Sequence, residues 1–438
     1  MITWLVAHHA QSILTTVLTL VFAGSILSQR RATGSALAWL LAVVLVPYVG
    51  IPLYLVLGGR KFRRQQARKK TQSRRARTVA PSSRATIEWL DDGQIAYAAF
   101  MREIAAAKHG IRIEMYLIGN DDVGIAILEA LAERARAGVA VHLLIDDLLI
   151  ASTPRKQARA LGHAGGHVAR FMPLFHIPFR GRANLRLHRK IAVFDGERAI
   201  VGGMNLAEEY MGPTKVVDRW RDLSLVIDGG AVTALDQIFC ADWEFATKKP
   251  LSLLRPDAPD VQDDISVIPS GPDSATDEIY DQILTASFRA EKRLWVATPY
   301  YVPDETLQRA LEIAVKRGVD VRVVVPAQSN HRIADLVAAP LLRELEAGGG
   351  KVYRFTPAML HAKVILADDY AIVGSANFDM RSMFLDYEVS LAFSGAPEVE
   401  RVAQWFEATF ANTTVGARKS KWLRMRLEGT ARLMAPLV

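Results

Sequence analysis

Residues 188–205 read HRKIAVFDGERAIVGGMN, and residues 361–377 read HAKVILADDYAIVGSAN. Both stretches keep one order of parts: His-x-Lys, an apolar run, an Asp, a turn, a second apolar run, then Gly-Gly or Gly-Ser shortly before an Asn. Residues two apart on a strand share a face, so His188 and Lys190 point together, as do His361 and Lys363. The second run can return beside the first as a hairpin, bringing Asn205 and Asn377 back toward the histidines. Each copy then offers an imidazole, an ammonium and an amide around one point. That set suits a phosphate: cation and amide hold its oxygens while imidazole attacks phosphorus or moves protons. Two copies facing each other supply two histidines, one for attack and one for protonating the leaving group.

The likeness extends outward from these stretches. IRIEMYLI at residues 111–118 and RARAGVAVHLLIDD at 134–147 match RLWVATPYYV at 293–302 and AVKRGVDVRVVVPA at 314–327. RFMP at 170–173 matches RFTP at 354–357. Strand-like and helix-like segments alternate throughout, which predicts an α/β class. A repeat of this length means two duplicated domains, not a solenoid of small units. We expect the halves at residues 81–248 and 265–411, joined by a Pro- and Asp-rich linker at 249–264. Each half should form a sheet covered by helices on both faces, with the two related by a pseudo-twofold axis.

The flanks differ from the body. Met1 to Gly59 carries only Arg30 and Arg31, Arg60 to Arg77 has ten basic residues and no acid, and Gly416 to Val438 has six basic residues and Glu428. Taking those +2, +10 and +5 segments from the net charge of +8 leaves −9 on Thr78 to Val415. An acidic body between basic ends points to an anionic membrane surface and away from nucleic acid. With 438 residues and 50% hydrophobic composition the chain can bury large cores, which excludes disorder as its main state. One cysteine, Cys240, excludes an internal disulfide framework and a Cys-based metal site, and its helix-like surroundings read as those of a buried small hydrophobe.

Ile2 to Leu27 and Ala36 to Leu57 contain no Asp, Glu, Lys or Arg. At ~1.5 Å per residue each is long enough for a hydrocarbon core of ~30 Å. We therefore expect a two-helix transmembrane anchor over residues 1–59, with a kink in the second helix at Pro47 and Pro52. The basic linker at 60–80 places both duplicated halves in the cytoplasm by the positive-inside rule. Ahead of His188, FMPLFHIPFRGRANLR mixes aromatics with Arg180, Arg182 and Arg186, and we expect an apolar rim there with arginines for a second phosphate. The tail at 412–438 reads as a basic amphipathic helix on anionic lipid, combining Trp422, Leu423, Met425 and Leu427 with six basic residues.

The paired HxK(x)4D motifs, His188-Lys190-Asp195 and His361-Lys363-Asp368, resemble those of the phospholipase D superfamily. Within it the chain is similar to the bacterial cardiolipin synthases, through SALAWLLAVVLVPYVGIPLYLVLGGRK, RLHRKIAVFDG, GGMNLAEEY, DRWRDLSLVIDG, TPYYVPD, GSANFDMRS and RLMAPL. The resemblance implies two tandem phospholipase D-like domains and phosphatidyl transfer between two phosphatidylglycerol molecules, giving cardiolipin and glycerol at the inner membrane. It implies His188 as the nucleophile forming a phosphatidyl-histidine, and His361 as the acid and then the base. Lys190, Lys363, Asn205 and Asn377 would hold the phosphate, with Ser375 and Gly203 beside them, while Asp195 and Asp368 would support each motif. Asp222 in WRD and Glu388 in DYE come after the histidines at related distances, and we expect them to accept the imidazole N–H and set its tautomer. No metal and no cofactor is implied, because two lysines supply the positive charge.

Two departures stand out. Gly203 replaces the usual serine of the first copy, whereas the second keeps Ser375. The second copy is one residue shorter at its turn, which leaves Asp368 and Asp369 both open as the motif acid. The motif chemistry also serves a phosphatidylserine synthase, a phospholipid hydrolase or a nucleic-acid phosphodiesterase. The acidic body and the apolar runs favour a lipid substrate and no nucleic acid; oligomeric state stays open.

Overall fold

The computed structural model describes residues 2–28, 33–58, 85–173, 184–256, 265–274, 276–420 and 422–431. Arg180, Arg182 and the basic run at 60–77 lie outside them. The chain divides into two compact units, one built on the N-terminal helices and the other holding both sheets.

In the N-terminal unit, α1 (Ile2–Leu27) precedes α2 (Thr33–Leu45) and α3 (Pro47–Leu57). The second apolar run is thus two short helices, not the one kinked helix expected. It breaks at Val46, and Pro47 opens α3 where a missing N–H costs nothing. Ile26, Val43, Ile51 and Tyr54 pack together, while Leu14, Leu20, Val44 and Leu45 face outward. Among the described residues no helix is long and apolar enough to cross a membrane.

The larger unit contains the duplication. Its first half runs β1 (Ile87–Leu90), α4 (Gly93–Ala106), β2 (Gly110–Met115), α5 (Asp122–Arg136), β3 (Ala140–Asp146), α6 (Arg155–His163), β4 (His167–Phe171), β5 (Ile191–Phe194), β6 (Arg198–Gly202), β7 (Ser224–Ile227) and α7 (Gly230–Thr247). The second runs β8 (Ile265–Ser270), α8 (Glu278–Arg289), β9 (Arg293–Ala297), β10 (Tyr301–Val302), α9 (Glu305–Lys316), β11 (Asp320–Pro326), α10 (Arg332–Ala347), β12 (Lys351–Phe355), β13 (Val364–Ala367), β14 (Tyr370–Gly374), β15 (Phe378–Asp379), α11 (Met380–Phe384), β16 (Glu388–Phe393), α12 (Ala396–Phe410) and β17 (Thr413–Val415). The C-terminal helix is α13 (Trp422–Ala431).

The sheets repeat one plan, β1-β7-β6-β5-β2-β3-β4 and β8-β16-β14-β13-β9-β11-β12, with β17 added at the outer edge. In each, three parallel strands joined by crossover helices lie beside an antiparallel meander. Local chemistry marks the equivalent corners. Asp121 caps α5 through the Gly124 N–H, Asp304 caps α9 through the Leu307 N–H, and each helix ends at a glycine with positive φ, Gly138 and Gly318.

Strand residues alternate between two cores. In the first half Ile111, Ile113, Ala192 and Phe194 face α4 and α5, and in the second Leu294, Val296, Ile365 and Ala367 face α8 and α9. The opposite face of each sheet carries one helix, α7 on the first and α12 on the second, and these faces meet in one shared core. Ile191, Val193, Ala199 and Val201 join Val364, Leu366, Ala371 and Val373 there, together with α7 and α12. At ~25 cal/mol per Å² of apolar area, this shared burial is what makes the halves one body.

The α13 helix is held by an acid, not by its basic residues. Glu428, 1% exposed, accepts from Arg343 at 2.6 Å and Arg424 at 3.1 Å, while Met425 and Leu427 face outward at 47% and 56% exposure. The side chains of Trp422 and Leu423 lie outside the described residues.

Each motif aspartate sits in a hairpin turn at positive φ, 53° for Asp195 and 50° for Asp368, a region Asp tolerates better than most residues. The turn holds three residues in the first copy and two in the second. Asp195 accepts the N–H groups of Lys108, His109 and Gly110 at 2.7–2.8 Å. Asp368 accepts those of Glu291, Lys292 and Arg293 at 2.7–3.0 Å. Asp368 is therefore the equivalent acid, and Asp369 is exposed. Burial pushes both carboxyls up, but the three N–H donors outweigh it and hold them below the usual range. Each aspartate ties its hairpin to the start of the neighbouring strand, β2 or β9, and among the described residues none of its hydrogen bonds goes to a motif histidine. We expect Asp368→Ala to lose about 2–3 kcal/mol of stability and Asp369→Ala under about 0.5, read by urea unfolding of the purified protein.

Candidate active site

Neither motif histidine lies on a regular strand; each occupies the stretch just before β5 or β13, where the chain crosses to the other half. His188 N–H donates to the Tyr387 carbonyl at 2.9 Å and Tyr387 N–H to the Arg186 carbonyl at 2.8 Å. In the mirrored exchange, His361 N–H donates to the Arg221 carbonyl at 2.7 Å and Arg221 N–H to the Met359 carbonyl at 2.8 Å. The residue after Tyr387 is Glu388, and the residue after Arg221 is Asp222. The backbone bridges thus carry each acid to the histidine of the opposite half. His188 Nδ1 meets Glu388 Oε1 at 2.7 Å, and His361 Nδ1 meets Asp222 Oδ2 at 2.7 Å. A carboxylate at Nδ1 holds the proton there and leaves Nε2 as the reactive nitrogen.

The lysines complete the cluster. Lys190 Nζ donates to the His188 carbonyl at 2.7 Å, and Lys363 Nζ donates to the His361 carbonyl. The charges of both lysines act on both imidazoles, so the four groups converge on one point. Burial first, then those charges, hold His188 well below its ordinary value and push His361 down to about 3. Both rings are neutral near pH 7. Burial also pushes Lys190 down to about 7 and Lys363 to about 8.

The copies are not electrically equal. Burial pushes the Glu388 carboxyl up to about 8. It would raise Asp222 too, but the Lys363 charge and the His361 hydrogen bond outweigh it and hold that carboxyl low. His188 is 12% exposed, and among the described residues its Nε2 has no hydrogen-bond partner. His361 is 6% exposed; Lys363 Nζ lies 2.6 Å from its Nδ1 and 3.2 Å from its Nε2, and the Tyr210 hydroxyl lies 3.5 Å from Nε2. The surroundings differ as well. Tyr210 and Trp220 pack on the His361 ring at 5.0 and 5.4 Å. Tyr116 packs on His188 at 4.9 Å, beside the Arg381–Asp386 pair at 3.0 Å, and the Asp386 charge acts on His188.

The remaining expected residues fall into two groups. Asn205 and Asn377 are buried, and the side-chain oxygen of each has no hydrogen-bond partner among the described residues. Ser375 and Gly203 instead serve the acids. Ser375 Oγ donates to Glu388 and accepts the Val389 N–H at 3.0 Å. At Gly203 a Cβ would lie 2.1 Å from Asp222 Oδ1, so the shorter acid occupies the space that a serine would need. Arg186 is not on an exposed rim: it is buried and bonds Asp146 at 3.1 Å. Arg189, between the two motif residues, turns the other way into the core, where it pairs with Asp242 and donates to the Glu388 carbonyl at 3.0 Å. Cys240 is half-buried and meets Arg112 Nη1 at 3.0 Å. Tyr116, Tyr210, Trp220, Arg189, Arg381 and Asp386 were not singled out from sequence. In strand register Tyr116 matches Pro299 of the second half, so the repeat offers no aromatic counterpart there. Among the described residues no three His, Cys, Asp or Glu side chains gather as a metal-binding set.

The family model for cardiolipin synthase, PLD-like domain, matches residues 100–243 and 283–410, and a phospholipase D-nuclease N-terminal model matches 17–59. The cardiolipin synthase of Halalkalibacterium halodurans is 31% identical, covering 99% of this chain and 95% of its own length. The chain belongs to the cardiolipin synthase family. Cardiolipin synthase A of Pseudomonas aeruginosa is 32% identical over 94% of this chain and 92% of its own. Among solved structures, the phosphatidylserine synthase of Haemophilus influenzae shares the fold, with a TM-score of 0.64 and 17% identity over 84% of this chain and 99% of its own. The cardiolipin synthase family membership accounts for both PLD-like halves and for the paired site between them.

The serine–glutamate and glycine–aspartate pairings predict a double-mutant result. Gly203→Ser should displace Asp222 from His361 and lower turnover at least tenfold. Asp222→Glu alone should also lower it. The double variant copies the arrangement at Ser375 and Glu388, and should recover most of the loss in a steady-state assay.

Proposed function

We propose that this chain is a membrane-bound phosphatidyltransferase that makes cardiolipin and glycerol from two phosphatidylglycerol molecules through a phosphatidyl-histidine. The observation that carries the reading is the crossed set of two neutral imidazoles, each with Nδ1 on the other half's carboxylate, converging with two buried lysines. Its full-length kinship with cardiolipin synthases supports the choice of donor and acceptor.

His188 is the better nucleophile of the two. Its Nε2 is open among the described residues. His361 is the better acid, because ionised Asp222 stabilises an imidazolium. An arriving phosphate draws the Lys363 ammonium to its own oxygens and away from the His361 ring, and its negative charge raises both lysines and His361, which takes up a proton. His188 Nε2 then bonds phosphorus as the P–O bond to the head-group glycerol breaks, and His361 gives its proton to that oxygen. In the second step His361 takes the proton from a hydroxyl of the second phosphatidylglycerol, whose oxygen bonds phosphorus as the N–P bond breaks. One phosphodiester replaces another, so the exchange needs no nucleotide. Lys190, Lys363, Asn205 and Asn377 hold the phosphate oxygens through both steps.

The protein is membrane-associated as the N-terminal family match implies, and we assign the anchor to α1 and to α2 and α3 placed end to end. What supports two spans is the absence of Asp, Glu, Lys and Arg from Ile2–Leu27 and Ala36–Leu57, and the ten basic residues after them favour a cytoplasmic catalytic unit. The outward Met425 and Leu427 of α13 suit the same interface. We place the two catalytic domains at 81–248 and 265–411, between the anchor at 1–59 and the tail at 412–438.

Purified protein with phosphatidylglycerol vesicles should yield cardiolipin and glycerol in equal amounts by mass spectrometry. His188→Ala and His361→Ala should each lower that yield by roughly a thousandfold or more, or about 4 kcal/mol of barrier. Rapid quenching should trap the phosphatidyl group on His188; a trapped adduct on His361 would reverse the roles. Free-protein Lys190 and Lys363 lose protons near 7 and 8, so positive charge is lost as pH rises. We expect kcat/KM to fall through that window and kcat to fall only at higher pH, because bound phosphate keeps both lysines charged.

A further inference from the structure

The loop between Tyr210 and Trp220 has no part in the chemistry above, yet its two ends are the aromatics packed on His361. It is braced at its base. Trp220 N–H donates to the Glu209 carbonyl at 2.8 Å, and Gly212 N–H to the Gly93 carbonyl at 3.2 Å. Arg219 spans the loop, with Nε on the Glu208 carbonyl at 3.2 Å and Nη1 on the Thr214 carbonyl at 2.6 Å. Gln94 adds a bond to the Pro213 carbonyl at 3.1 Å.

This bracing holds the tip away from the body. Val217 is 92% exposed and Val216 45%, with exposed Lys215 before them and exposed Asp218 after them. Ile95, next to the bracing Gln94, adds another exposed aliphatic side chain at 47%. Valine ranks among the residues most often buried, and a pair of them on a braced tip between Lys215 and Asp218 suits an apolar medium reached past charged head groups.

We infer that the Val216–Val217 tip inserts into the anionic phospholipid bilayer and seats the His361 side of the site at the lipid–water interface. The inference rests on the lipid-transfer reading and names the surface that such a site must meet. The tip is continuous with the site through Tyr210 and Trp220. Lys215 would lie at the phosphates while the valines enter the acyl boundary. A phosphatidylglycerol could then present its head group to the lysines with its tails still in the bilayer.

The test uses the full chain in phosphatidylglycerol vesicles. A Cys240→Ser, Val217→Cys protein carries an environment-sensitive fluorophore at residue 217. We expect blue-shifted emission and quenching by lipids brominated on their acyl chains. In parallel, Val216→Ser with Val217→Ser should raise the vesicle KM about tenfold and leave kcat unchanged. The same variant should keep wild-type kcat/KM on monomeric dihexanoyl-phosphatidylglycerol. A fluorophore that stays in water, or an equal loss on both substrates, would overturn the inference. Insertion of the fluorophore in a protein that makes no cardiolipin would instead count against the transfer reading and leave the seating of the loop in place.

Discussion

Two imidazole–carboxylate hydrogen bonds cross between the halves, and the site depends on them. Each joins a histidine to an acid far away in sequence, 200 residues for His188 and Glu388 and 139 for His361 and Asp222. The crossing is built into the backbone, because His188 and His361 each donate their N–H to the residue just before the partner acid. A half on its own would keep its hairpin and its lysine but lose its carboxylate. Leaving a buried hydrogen-bonding group without its partner costs about 1–3 kcal/mol, so the shared core that joins the sheets also assembles the chemistry.

Duplication supplied two similar sets, and small changes made them unequal. One side has the longer acid with a serine behind it, the other the shorter acid over a bare glycine. One ring is partly open and stands beside a charged pair; the other is enclosed by Tyr210 and Trp220. A two-step transfer needs that inequality, since one imidazole must stay unprotonated to attack while the other carries a proton. The aromatic side also leads out to a braced apolar tip, which ties the more enclosed ring to the surface a lipid would approach.

Much of this was legible in the residues. The period-two pairing of His and Lys, the hairpin after each motif, and the duplicated order of strands and helices all arise from local rules. The one-residue deletion in the second copy reads directly as a tighter turn, and the structure shows two residues there instead of three. Which neighbouring acid serves the motif was not legible, because Asp368 and Asp369 differ only in which can reach the three N–H groups of residues 291–293. Gly203 looked like a defect in a pattern. Only the position of Asp222, 2.1 Å from where a Cβ would stand, makes it a requirement.

The sequence by itself determined the α/β class, the duplication, the motif histidines and lysines, and the basic ends around an acidic body. These are properties of spacing, periodicity and charge, which act between near neighbours or sum along the chain. Tertiary structure decided the exchange of acids between halves, the meeting of both sheets in one core, and the inward turn of Arg186 and Arg189. It also decided that Glu428 faces in and Met425 out. Each of these depends on which surfaces meet after the chain has closed loops of tens to hundreds of residues, and no local pattern encodes that meeting.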